Sequence, residues 1–168
     1  MANELADRFR RWFEYEQDAH AKVLASFDTV PPDRRDGRDG REFKKAVALL
    51  GHVVAARRVW LFRFGILPTA GALFLDDENP DPARVEAEWR EVRDLWADYL
   101  ASVTDAELAR VFEYQSFDAG RFRNRVEDIL AQLFGHSWYH RGQIAMLVRA
   151  AGGTPAVTDL VYWCREPV

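Results

Sequence analysis

The sequence predicts an all-α fold, a four-helix bundle with long connections and a short β-hairpin before the fourth helix. Three observations carry this. Four long stretches repeat apolar side chains at helical spacing, proline- and glycine-rich breaks divide them, and irregular connections follow the first stretch and separate the third from the fourth. With 168 residues the chain is long enough for one sizeable core, so a single domain over residues 1–168 is expected.

The first helix is expected over Glu4 to Thr29, where Leu5, Phe9, Trp12, Phe13, Val23, Leu24 and Phe27 recur without glycine or proline. His20 falls on the same stripe, where a partly buried, hydrogen-bonded histidine is the expected state. The run from Pro31 to Gly40 stops this helix, since proline lacks an amide donor and glycine resists propagation. A second helix over Glu42 to Phe64 follows, with Gly65 placed to end it. It carries His52 on a face shared with Ala48, Leu49, Ala56 and Val59.

Ile66 to Pro82 holds three prolines, the acidic run Asp76-Asp77-Glu78 and the apolar Leu73, Phe74 and Leu75. A loop of this length is expected to pack as one wall of a pocket. The third helix is expected over Ala83 to Val103, with Val85, Trp89, Val92, Leu95, Trp96 and Tyr99 along one side and charges on the other. Its tryptophans are read as core or subunit contacts. Thr104 and Glu107 have the spacing of a capping box, so a short helical turn is expected after them. Val111 to Ser116 alternates weakly, Asp118-Ala119-Gly120 offers turn chemistry, and Phe122 to Val126 returns, which together predict a small hairpin.

The fourth helix is expected over Val126 to Ala150 and is ended by Gly152-Gly153-Thr154-Pro155. On it His136 and His140 share a face with Ile129, Leu133, Gln143 and Leu147, so both imidazoles are expected to point inward. Histidines one turn apart can converge on a single divalent metal. A third ligand must come from another helix, and His52 is the better candidate of the two remaining histidines because its face is apolar. The aromatic tail after Ala156, with Tyr162 and Trp163, is expected to pack back across the bundle.

Composition bounds the rest. A hydrophobic share of 48% and a charged share of 30% are ordinary for a globular protein. A net charge of -4 without a basic stripe argues against nucleic-acid binding. The one cysteine, Cys164, admits no intrachain disulfide and fits a reducing compartment. The charged N-terminal stretch lacks the apolar core of a signal peptide, and no uncharged stretch approaches a membrane span, so a cytoplasmic protein with no membrane partner is expected. A ferritin-like di-iron site would need glutamate three residues before its histidines. Gln17, Leu49, Leu133 and Ser137 stand there instead.

The run His136-Ser137-Trp138-Tyr139-His140-Arg141-Gly142-Gln143-Ile144, with Gly152, Gly153, Pro155 and Asp159 after it, closely resembles the DinB/YfiT-like family of metal-binding helical bundles. In that family one histidine of the second helix and two of the fourth bind a divalent metal, which the resemblance carries onto His52, His136 and His140. Zinc and nickel are the leading candidates for the cofactor, since imidazole suits both and availability often decides occupancy. The resemblance also implies a low-molecular-weight thiol as a second cofactor, transferred to an electrophilic small molecule. In the first helix, Glu16, Asp18 and His20 stand where the family usually has Asn, Trp and Asn.

Three protein ligands leave an open position on a tetrahedral ion, where a thiol or a water can be deprotonated. Thiol transfer is the first expectation. A metal-dependent hydrolase is one alternative, and a non-enzymatic stress or interaction protein with a structural metal is another. A homodimer is expected, with the aromatic helices as a subunit contact. Glu16, Asp18 and Gln143 are the expected partners of the imidazole N–H groups. Tyr139 and Arg141 flank the ligands, and packing or a salt bridge explains them as readily as catalysis.

Overall fold

The structure is a computed structural model that describes residues 3–37, 39–72, 80–118 and 120–167. Four long helices, α1 (Glu4–Phe27), α2 (Arg41–Arg63), α3 (Pro82–Ser102) and α5 (Val126–Ala150), form the bundle. A short helix α4 (Asp105–Ala109) and a hairpin of β1 (Val111–Gln115) and β2 (Arg121–Arg125) link α3 to α5, and α6 (Leu160–Cys164) lies in the tail.

Each long helix packs against two others: α1 and α2 both touch α3 and α5, which leaves α1 diagonal to α2. Contacts along the helices give their directions. Phe9 meets Phe134 and Trp12 meets Trp138, so α1 and α5 run parallel. Arg57 lies over the Phe134 ring while His52 meets His136, so α2 opposes α5. The Trp96 indole N–H donates to the Arg57 carbonyl at 3.2 Å and Phe64 stacks on Tyr99, so α2 and α3 are parallel. Two parallel helices cannot be joined by a tight turn, which accounts for the long stretch of sequence between Arg63 and Pro82. Leu73, Phe74, Leu75 and the acidic run Asp76-Asp77-Glu78, read as a pocket wall, lie outside the described residues.

Helix ends follow local chemistry. Asp81 accepts from the Ala83 amide at 2.9 Å with Pro82 in the first turn, so α3 starts one residue earlier than expected. The Thr104 hydroxyl accepts from the Glu107 amide at 3.2 Å, as the capping box requires. Asp105 then accepts from the Ala6 amide at 2.8 Å, so α4 caps α1 from a distance of 99 residues in sequence. Gly65 takes φ of 77° after α2, a conformation that costs a side-chain-bearing residue but not glycine. α1 stops at Phe27, short of Thr29, whose hydroxyl is engaged by the Thr154 amide at 2.7 Å.

The core is built by Phe9, Phe13, Phe27, Trp89, Trp96, Leu130 and Phe134 with their aliphatic neighbours. Each such side chain contributes about 1.5–3 kcal/mol on burial. The α3 tryptophans, Trp89 and Trp96, are core residues. The hairpin pairs antiparallel with Val111 opposite Arg125; β1 alternates, with Phe112 and Tyr114 half-buried on one face, whereas β2 is exposed along its whole length. In the tail Trp163 packs on Tyr15, as expected, whereas Tyr162 is exposed. Among the described residues no helix is long and apolar enough to cross a membrane.

Candidate metal centre

His52 comes from the middle of α2, and His136 and His140 from successive turns of α5. These two helices make the most extensive helix–helix contact in the bundle. All three imidazoles are half-buried, and one ring nitrogen from each lies within 4.8 Å of the others. His136 sits at the centre, its Nε2 3.1 Å from Nε2 of His52 and 3.0 Å from Nε2 of His140.

The donor set fits a divalent cation. Each imidazole nitrogen carries either a proton or a lone pair, and two lone pairs repel at 3 Å. His140 donates its Nδ1–H to Gln143 Oε1 at 2.7 Å, which leaves the lone pair on Nε2. A single proton on His136 Nε2 or His52 Nε2 cannot make good hydrogen bonds across both contacts, whereas a cation accepts all three lone pairs. Two nitrogens held about 2.0–2.1 Å from a tetrahedral ion lie roughly 3.3 Å apart, close to the spacing here. Burial, then the neighbouring His140 and His52 rings and the Arg57 guanidinium, push the His136 imidazole down to about 4. It is therefore neutral at pH 7, the state a ligand requires.

Of the three residues expected to orient the imidazoles, Gln143 does so. Glu16 instead faces Arg57, and Asp18 pairs with Lys22 at 2.7 Å on the exposed side of α1. His20 stays apart from the cluster. It is fully buried, donates Nδ1–H to the Glu16 carbonyl at 2.9 Å and stacks on Trp89 at 4.3 Å between centroids. Burial first, and Arg141 and Arg57 further, push its imidazole down to about 4 against the opposing pull of Glu16.

Tyr139 is exposed and meets His140 edge-on at 5.1 Å. Arg141 turns the other way, into the bundle, and donates from Nη2 to the Tyr15 hydroxyl at 2.9 Å. The Tyr15 hydroxyl in turn donates to the Thr158 carbonyl, which ties the tail to α1.

Beneath the histidines lies a charge pair that sequence reading missed. Arg57 and Glu16 are both completely buried and form an ion pair across the diagonal from α2 to α1. The rings of Phe13, Trp96 and Phe134 surround the guanidinium. Burial would push the Glu16 carboxyl up, but Arg57 first, with His20, Ser137 and Arg141, holds it below its ordinary value. The signal was present in the sequence: of the adjacent Arg57 and Arg58, only Arg57 shares a helical face with Leu50, Val53, Val54 and Leu61.

The DinB family model matches residues 1–165. The protein DinB of Bacillus subtilis (strain 168) is 23% identical over 160 residues, which cover 92% of each chain. No solved structure gives a significant match. The family match spans the histidine helix and the other three long helices of the bundle, and by it the chain belongs to the DinB family.

Proposed function

We propose that His52, His136 and His140 hold a divalent metal, zinc or nickel, in one domain spanning residues 1–168, and that this cytoplasmic protein transfers a low-molecular-weight thiol to an electrophilic small molecule. The convergence of three Nε2 atoms from two helices carries the reading. When bound, the cation supplies a Lewis-acidic position that favours the deprotonated thiol.

The side chains contribute the rest. His136 is kept neutral by its surroundings, Gln143 fixes the tautomer and ring plane of His140, and the half-buried rings leave a side by which a small molecule can approach. In the transfer, a sulfur–carbon bond forms while the thiol proton passes to solvent, and the electrophilic carbon gives up its bond to a leaving group, which departs with the electron pair. Which thiol and which electrophile serve is what a panel would reveal. Purified protein loaded with zinc or nickel is assayed for loss of free thiol with each pair, before and after a chelator. Turnover that disappears with the metal while the fold persists supports thiol transfer. Collapse of the fold on chelation, with no pair ever turning over, leaves a structural metal and sinks it.

We also propose a homodimer through the outer side of α5. Between Asp128 and Arg149 the one charged residue, Arg141, is buried, so the exposed side presents Gly135, Trp138, Tyr139, Gly142 and Met146. A two-fold contact sets a surface against itself, and a surface without charge meets no self-repulsion. Light scattering coupled to size exclusion tests this; a monomer at high micromolar concentration rules it out.

A further inference from the structure

We propose that Glu16 is a positioning residue for the three-histidine centre, the counter-charge that lets a dication bind beside two buried arginines. This rests on the metal reading above.

The arrangement is unusual for a cation site. Arg57 and Arg141 are both at least nine-tenths buried, and both stand close to the ligands along the chain or across the bundle: Arg57 lies over the ring of Phe134, two residues before His136, and Arg141 follows His140. Fixed positive charge at a buried position repels an incoming dication, because the interior screens far less than water. Among the described residues Glu16 is the one buried carboxylate. His20, the remaining titratable group beside it, is neutral. Glu16 pairs with Arg57 and follows Tyr15, to whose hydroxyl Arg141 donates. Through Arg57, which lies over the Phe134 ring of α5, Glu16 is therefore tied to both helices that carry the histidines.

Two effects can be separated. If Glu16 only clamped the helices, removing either partner of the ion pair would loosen the ligands and weaken metal binding. If its charge matters, the two removals act oppositely: Glu16→Gln leaves Arg57 uncompensated beside the site, while Arg57→Met removes a repulsive charge. Both single variants lose fold stability, because each leaves a buried charge alone. The double variant, a neutral amide beside a thioether of similar length, removes the pair together and so keeps the wild-type balance of buried charge and the packing.

The test is isothermal titration of metal-free protein with zinc ion, with thermal melts alongside. Glu16→Gln is expected to weaken affinity by about tenfold or more, the range seen when groups behind metal ligands are lost. Arg57→Met is expected to bind at least as tightly as the wild type, and the double variant to return to within about threefold of it. The inference is overturned if Glu16→Gln binds like the wild type, or if Arg57→Met weakens alongside it. A wild-type protein that binds no zinc and no nickel overturns the metal reading itself, and this inference with it; binding by wild type that ignores Glu16 overturns this inference alone.

Discussion

His52 Nε2 lies 3.1 Å from His136 Nε2 although 84 residues separate them in the chain. Neither helix alone could place more than two imidazoles together. The contact depends on α2 and α5 running antiparallel with their histidines at one level of the bundle, and the following outcomes depend on that placement.

Replacing His136 with alanine removes the central nitrogen of the cluster and should abolish zinc or nickel content measured by elemental analysis. His52→Ala and His140→Ala should each lower it strongly. Unchanged stoichiometry in His136→Ala would mean that the ion binds elsewhere.

Gln143→Leu removes the acceptor that holds the His140 Nδ1–H. Metal affinity should fall by about 10- to 100-fold, with Gln143→Glu recovering most of it, because a carboxylate accepts the same proton. Equal binding by all three proteins would show that the orientation of His140 is fixed by packing alone.

Metal should stabilise the fold in proportion to its binding. At a free concentration of about 100 Kd the gain is about 2.7 kcal/mol, read as a rise in Tm that grows with metal concentration and vanishes in His136→Ala. A Tm indifferent to metal over that range would contradict binding to the folded state.

His20 makes stability depend on pH. Its imidazole titrates near 4 in the fold against 6.5 when unfolded, so between these values the unfolded chain binds more protons. The contribution is complete above pH 6.5 and is lost as pH falls toward 4, at up to about 1.4 kcal/mol per pH unit. Urea denaturation of metal-free protein should therefore show a shallower acid loss in His20→Phe, which keeps a ring against Trp89. Parallel curves for the two proteins would show that His20 does not stay neutral in the fold.

Tyr15→Phe should release the tail. The hydroxyl links Arg141 to the Thr158 carbonyl, and its loss should cost about 1–2 kcal/mol and speed amide exchange from Thr158 to Cys164, leaving metal content unchanged. Unaltered exchange there would assign the tail's attachment to Trp163 packing instead.

The four long helices, the hairpin and the His136–His140 pair were legible in the chain because each is written in local terms, and His52 was added to the pair by its apolar face and by the family resemblance. Helical spacing of apolar residues marks Val126 to Ala150 end to end, Thr104 and Glu107 announce a cap, and His136 and His140 declare a shared face by being four residues apart. What only tertiary structure decided is which inward polar groups meet. Glu16 could as well have faced an imidazole as Arg57, and His20 could have joined the cluster rather than stacking on Trp89. The period of a helix fixes the direction in which a side chain points. Its height and its partner depend on how the helices are ordered and run, with α1 diagonal to α2, and those are set by the summed packing of the core.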